Sequence, residues 1–179
     1  MILVSVCCTV FADANPNAIG AVFYLCIGDQ LPVFLHSSSQ VVKTGTIPKL
    51  EFQAMDLALK GALKLLKIHK VDRTVFWSDS TVTIGRLNGS LNDLDARIAV
   101  KVWNFRNAIN ATYRHVPTAD NPADLLTRGC SMSSLLNVNV NKHWWTGPVH
   151  LMHSIPETVS VNAVTLEDLP TMSENLSSL

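Results

Sequence analysis

The sequence predicts a mixed α/β sheet with helices packed on it, and three observations carry that prediction. Apolar, β-branched runs of strand length occupy much of the first 37 residues and return near 74–77 and 111–116. Between them lie stretches whose apolar residues recur at spacings of three and four. Turn-forming residues, Gly28-Asp29-Gln30 and Pro117 to Asn121, separate these segments. The order is three strands, a helix, a strand, helices, a strand and a helix, which fits one layered domain.

Residues 2–12 are apolar with few breaks, as in a central strand covered on both faces, and Asp13 falls where that strand ends. Ile19 to Ile27 forms a second strand and Leu31 to Ser37 a third, giving an antiparallel meander with the third strand at an edge because of Pro32. Pro48 opens a helix reaching about His69. Leu50, Ala54, Leu57, Gly61, Leu65 and Ile68 form one apolar stripe on it, and Met55, Ala58, Ala62 and Leu66 a second. Thr74 to Trp77 is a short strand that delivers Asp79, and a two-turn helix, Ser80 to Leu87, follows. Asp93 to Ile109 is the next helix, with Ile98, Val102, Phe105 and Ile109 inward and Arg97, Lys101 and Asn104 on a polar face. Ala111 to Val116 is the fifth strand, and the helix that carries Asp124 comes after it. From Pro156 onward the composition is polar and aperiodic, so residues 153–179 are expected to form a flexible tail or linker after a domain of residues 1–152.

Composition limits the function classes. The chain has 179 residues, 47% of them hydrophobic, enough for one full core. With 14 basic and 14 acidic residues, no overall field draws it toward nucleic acid or a membrane surface, so polyanion binding has to be local. Cys7, Cys8, Cys26 and Cys130 form no Cys-x-x-Cys pair and no ligand spacing with the six histidines, so neither a zinc module nor a disulfide framework is supported and a reducing, intracellular compartment is the simpler reading. The opening apolar run lacks a preceding Lys or Arg, so it reads as a buried strand rather than a leader peptide, and no stretch is long enough to span a bilayer.

Four carboxylates stand in separate contexts: Asp13, Glu51, Asp79 and Asp124. Each alone has a local explanation. Asp13 opens a turn-forming stretch, Glu51 lies in the first turn of the helix begun by Pro48, Asp79 caps the helix after it, and Asp124 follows a cap at Asn121 with Pro122 at the first helical position. As a set, two leave strand ends and two leave helix starts, and Glu51 heads the second apolar stripe, where an unpaired charge is costly and a compensating cation is expected. Four acidic groups brought together repel unless divalent cations separate them, and hard oxygen ligands suit Mg²⁺. Two such ions activate a water and stabilise a leaving oxygen in phosphodiester cleavage. An aspartic protease is excluded by residue type, since Asp13-Ala14-Asn15 lacks the Asp-Thr/Ser-Gly turn and has no second copy.

The succession Phe11-Ala12-Asp13-Ala14-Asn15, Ile47-Pro48-Lys49-Leu50-Glu51, Trp77-Ser78-Asp79-Ser80, Arg114-His115-Val116-Pro117, Asn121 to Gly129 and Trp144-Trp145-Thr146-Gly147-Pro148 resembles the ribonuclease H domain of BEL/Pao-type LTR retrotransposon polyproteins. The resemblance spans about residues 5–152. It implies a ribonuclease H-like five-stranded sheet, with strands 1–3 antiparallel and 4–5 parallel. It also implies an endonuclease that cuts the RNA strand of RNA/DNA hybrids in reverse transcription, leaving a 3′-hydroxyl and a 5′-phosphate. By the same resemblance Asp13, Glu51, Asp79 and Asp124 are catalytic metal ligands for two Mg²⁺ ions, with Mn²⁺ as a substitute, and His115 aids proton transfer or product release.

Asn15, Ser80 and Arg128 flank the acidic set as candidate substrate contacts, although turn and capping roles explain them equally. Partners implied are the hybrid and the reverse transcriptase and integrase domains of the parent polyprotein, in the cytoplasm or nucleus. Only Asn88 to Leu91 separate two predicted helices, which leaves no room for the basic protrusion some ribonucleases H use to hold a hybrid. The chain therefore reads as an excised piece, and the alternative is a catalytically idle ribonuclease H-like module, a transposon relic that binds nucleic acid or protein.

Overall fold

The middle strand of the sheet is β1 (Val6–Ala14), buried along almost its whole length. It pairs antiparallel with β2 (Ala18–Ile27) and parallel with β4 (Arg73–Ser78). Strand β3 (Val33–Val41) extends the antiparallel side and β5 (Ala111–His115) the parallel side, so the sheet order is β3-β2-β1-β4-β5. This is the expected mixed five-stranded sheet. The computed structural model describes residues 5–43 and 45–153, so the start of the first predicted strand and all but His153 of the predicted tail lie outside the described residues.

Alternation along each strand sends neighbouring side chains to opposite faces and builds two cores. Val10, Phe23 and Phe76 pack under α1 (Ile47–Leu65), α2 (Thr81–Asn88) and α3 (Ala96–Ala108), with Met55, Leu87 and Phe105. Phe11, Tyr24 and Trp77 face the other side, packed with Ala123, which precedes α4 (Asp124–Arg128), with Trp144 of α6 (Lys142–Thr146) and with Met152 of α7 (Val149–Met152). A further short helix, α5 (Met132–Leu136), links α4 to α6. Trp144 is buried beside Phe34, and the Tyr24 hydroxyl donates to the Trp144 carbonyl at 2.7 Å, so this tryptophan is a packing residue.

Several boundaries differ from the sequence reading. β3 continues to Val41 through Ser37, Ser38, Ser39 and Gln40, a polar run tolerated because the strand is at the edge and mostly open to solvent. α1 ends at Leu65, and Ile68, assigned to its apolar stripe, is exposed in the turn that follows. α3 starts at Ala96, with the Asp95 carboxylate capping the Arg97 and Ile98 amides, while residues 91–93 form a 3₁₀ turn that buries Leu91. The link between α2 and α3 runs from Gly89 to Asp95, longer than the Asn88–Leu91 separation the sequence predicts, because α3 starts late. No helix of the described residues is long and apolar enough to cross a membrane.

Two glycines set the distance between layers. A Cβ on Gly61 would meet the Phe23 ring at 2.3 Å, and one on Gly20 would meet Leu126 Cβ at 2.7 Å and the Ala123 carbonyl at 3.4 Å. Gly20 pairs with Asp13 across β1 and β2, so the close approach of α4 that it permits also positions Asp124. Gly20→Ala is expected to destabilise the fold by about 1–3 kcal/mol through overpacking. The corresponding drop in melting temperature, roughly 2–4 °C per kcal/mol, is read by thermal denaturation followed by circular dichroism.

Candidate active site

The parallel register of β1 and β4 pairs Ala12 with Ser78, so Asp13, still within β1, and Asp79, just past β4, lie at the same end of the sheet. Asp13 is buried, and the Thr127 hydroxyl donates to its Oδ2. Burial raises the Asp13 pKa to about 6, and the charges of Asp79 and Asp124 add to the rise against the Thr127 hydrogen bond. Asp79 accepts a 2.7 Å hydrogen bond at Oδ2 from the Thr118 hydroxyl, and its Oδ1 is buried without a partner. Asp79 is not the cap of α2, contrary to its local explanation. Ser80 takes that role by accepting from the Thr83 amide at 3.2 Å.

Glu51 also departs from its local explanation. α1 begins at Ile47, which puts Glu51 beyond the first turn and away from the exposed amides there. Its half-buried carboxyl lies near the hydroxyls of Ser80 and Ser78, and Oε2 is buried with no partner. The expected compensating cation does not contribute. Burial, followed by the charge of Asp79, pushes the Glu51 pKa up to about 7, with Asp13 adding to the rise and the two hydroxyls opposing it. With no counter-charge contributing, burial on this face makes the acid easier to protonate than an exposed carboxyl.

Asp124 is the first residue of α4, and its Oδ1 lies 3.0 Å from Arg128 Nε, one turn on. Asn121 does not cap this helix, because the turn from Asn121 to Ala123 delays its start. The Asn121 amide instead accepts from the Ala123 amide and donates at 3.0 Å to the Ala12 carbonyl, tying the approach to α4 to the end of β1. The Thr127 hydroxyl that reaches Asp13 is also 3.1 Å from the Asp124 carbonyl.

The four acids are electrostatically linked: Asp13 responds to Asp79 and Asp124, and Glu51 to Asp79 and Asp13. Yet among the described residues no three His, Cys, Asp or Glu side chains are grouped closely enough to hold a metal ion as they stand. The donor set is nonetheless of the kind a hard cation takes, because the two unpartnered buried oxygens, Asp79 Oδ1 and Glu51 Oε2, are carboxylate oxygens with unused lone pairs.

The other candidates are distributed around this group. His115 is exposed at the end of β5, opposite Ser78 in register. Ser80 joins its cap to a contact with Glu51. Asn15 is committed to structure: Oδ1 accepts from the Asn17 and Ala18 amides, and Nδ2 donates to the Thr127 carbonyl at 2.6 Å. Arg128 is exposed and paired with Asp124.

Sequence reasoning missed Thr118, Thr127 and Ser78, the hydroxyls that hold the acids. Only Thr127 carried a signal, its i+3 spacing from Asp124. Also missed was a groove of about 550 Å³ beside Asp124, walled by Thr118, Leu125, Arg128, Val140, Asn141 and His143 among others.

Residues 4–80 match the family described as Pao retrotransposon-like RNaseH-like domain. The match bears out the resemblance over the span that holds Asp13, Glu51 and Asp79. None of the curated proteins compared matches the chain. Similar solved structures include LC11-RNase H1 in complex with an RNA/DNA hybrid, 17% identical over 73% of this chain and 99% of that one, with a TM-score of 0.49. The N-terminal RNase H domain of a Mycobacterium tuberculosis protein, solved as a fusion with maltose binding protein, is 21% identical over 70% and 92%, with a TM-score of 0.49. The foamy viral protease-reverse transcriptase in complex with dsDNA is 18% identical over 73% and 94%, with a TM-score of 0.42.

The raised carboxyl pKa values give stability a defined pH dependence. The folded chain keeps protons on Asp13 and Glu51 that the unfolded chain releases above about pH 4, so stability falls as pH rises toward 6–7 and then levels off. In EDTA, Asp13→Asn is expected to raise the melting temperature by a few degrees at pH 8, on the order of 1–2 kcal/mol, with little difference at pH 4. Paired melts at the two pH values check this; equal melting temperatures at pH 8 would show that the Asp13 charge carries no penalty.

Proposed function

We propose that this retrotransposon ribonuclease H-like domain is a metal-dependent endonuclease that hydrolyses the RNA strand of RNA/DNA hybrids. The observation that supports the proposal is the electrostatic coupling of Asp13 to Asp79 and Asp124, and of Glu51 to Asp79 and Asp13, near one end of the β1/β4 pair, with a buried oxygen on Asp79 and one on Glu51 that no protein group satisfies. Asp13, Glu51, Asp79 and Asp124 would hold two Mg²⁺ ions, or Mn²⁺ in their place, which supply the activation of water and the stabilisation of the leaving 3′ oxygen.

The chain's own residues arrange the acids. Thr127 and Thr118 donate to one oxygen each of Asp13 and Asp79, and the Ser80 and Ser78 hydroxyls restrain Glu51. Arg128 and, beyond its cap and its contact with Glu51, Ser80 would serve as substrate contacts, whereas the Asn15 amide is occupied by its turn. His115, exposed at the end of β5, is assigned the late proton transfer or product release. In this reading residues 1–152 are the catalytic unit, which works with reverse transcriptase and integrase domains of a parent polyprotein in the cytoplasm or nucleus.

A second reading is a catalytically idle module that binds nucleic acid or protein. It is favoured by the Asp124–Arg128 pair and by the lack of three grouped ligands among the described residues. A labelled RNA/DNA hybrid separates the two. The endonuclease cuts it with Mg²⁺ or Mn²⁺, stops in EDTA, and loses about 100-fold or more of its rate in Asp79→Asn, at or beyond the upper range for loss of groups that support a metal. Binding without cutting at micromolar protein, unchanged by chelator, establishes the idle module instead.

A further inference from the structure

The groove beside Asp124 is continuous with the acidic group, because Thr118, which donates to Asp79, and Asp124 itself both form part of its wall. Further lining comes from Val140 and Asn141, between α5 and α6, and from His143 in α6. Its volume of about 550 Å³ exceeds what one water or ion needs and suits a nucleotide-sized occupant. Arg128 supplies the cationic group of the wall; its pairing with Asp124 uses Nε and leaves the two terminal amino groups for another acceptor. Asn141 uses Nδ2 to reach the Ser134 carbonyl at 2.6 Å, so its amide is held against this wall. Leu125, Pro122 and Val140 give the groove an apolar side on which a sugar or base edge can rest.

We propose that this groove is a substrate subsite that seats the nucleotide next to the cleaved linkage, with its phosphate at Arg128. This rests on the nuclease reading, and it adds the substrate grip that the short α2–α3 link does not supply. The grip is placed on the α5–α6 segment, on the opposite face of the sheet from α2 and α3.

Val140 gives a test that does not disturb the fold: its side chain is 66% exposed on the groove wall and has no hydrogen bond to lose. Binding of a labelled RNA/DNA hybrid is measured by fluorescence anisotropy in EDTA over a range of salt, for the whole chain and for Val140→Glu and Val140→Lys. Val100, exposed on α3, carries the same two changes as a control. The subsite predicts opposite effects of the two charges at Val140: about 5-fold weaker with Glu and about 5-fold tighter with Lys. The slope of log affinity against log salt should shift by nearly one with Lys. At Val100 neither change should have an effect. Equal affinity for both Val140 variants, equal effects at Val100, or no binding by any variant overturns the subsite. Cleavage of the same hybrid with Mg²⁺ separates the two proposals. Cutting with charge-insensitive binding removes the groove and keeps the nuclease, whereas charge-sensitive binding without cutting keeps the groove and removes the nuclease.

Discussion

The parallel pairing of β1 with β4 is the constraint on which the rest of the structure depends. Because side chains alternate, a one-residue slip would turn Val10 and Phe11 into each other's core and carry Asp13 to the wrong face. The register that buries Phe11 against Trp77, with stacked rings 5.9 Å apart, is the one that brings Asp13 and Asp79 to the same end of the sheet. Packing and site are thus fixed by one alignment. Strand ends also suit the acids, since a carboxylate in mid-strand would sit in a dry core with nothing to relieve it.

Around Asp13, Asp79 and Glu51 the chain uses neutral donors rather than cations. Thr127 to Asp13, Asn15 to the Thr127 carbonyl and Asn121 to the Ala12 carbonyl fasten α4 to β1 without cancelling negative charge. A buried arginine in their place would cancel that charge at its own desolvation cost. Hydroxyls and amides hold the carboxylates in position while leaving Asp13 and Glu51 raised in pKa. The local cost in stability and the local negative field have the same origin.

The sheet was legible in the sequence because its signals are local. β1 is a continuous apolar run, Pro32 marks an edge, and Gly28 takes the positive φ of 52° that its turn requires. The boundaries that failed depend on tertiary context. The polar residues of β3 extend an edge strand only because β2 is there to pair with them, and α1 stops at Leu65 although Ile68 continues the apolar period. The four acids could be identified one by one, but the caps assigned to Asp79 and Asn121 belong to Ser80 and to the turn at Ala123. The groove was not legible, since Asp124 and Val140 meet in its walls only through the path of the chain around α5.

The contact that most distinguishes an idle module from a working site is the one between Asp124 and Arg128, and magnitudes decide what it means. It is an i, i+4 pair with the arginine side chain 68% exposed, a class typically worth about 0.3–0.5 kcal/mol. Displacing it would lower the affinity of a competing cation by about twofold. Buried carboxylate oxygens without partners act in the other direction, because each is costly while unsatisfied. Were Asp124 to hold a divalent ion, as proposed, a pair this weak would release Arg128 at little cost. The guanidinium would then remain on the groove wall, one helical turn from Asp124, with a phosphate taking the carboxylate's place as its partner.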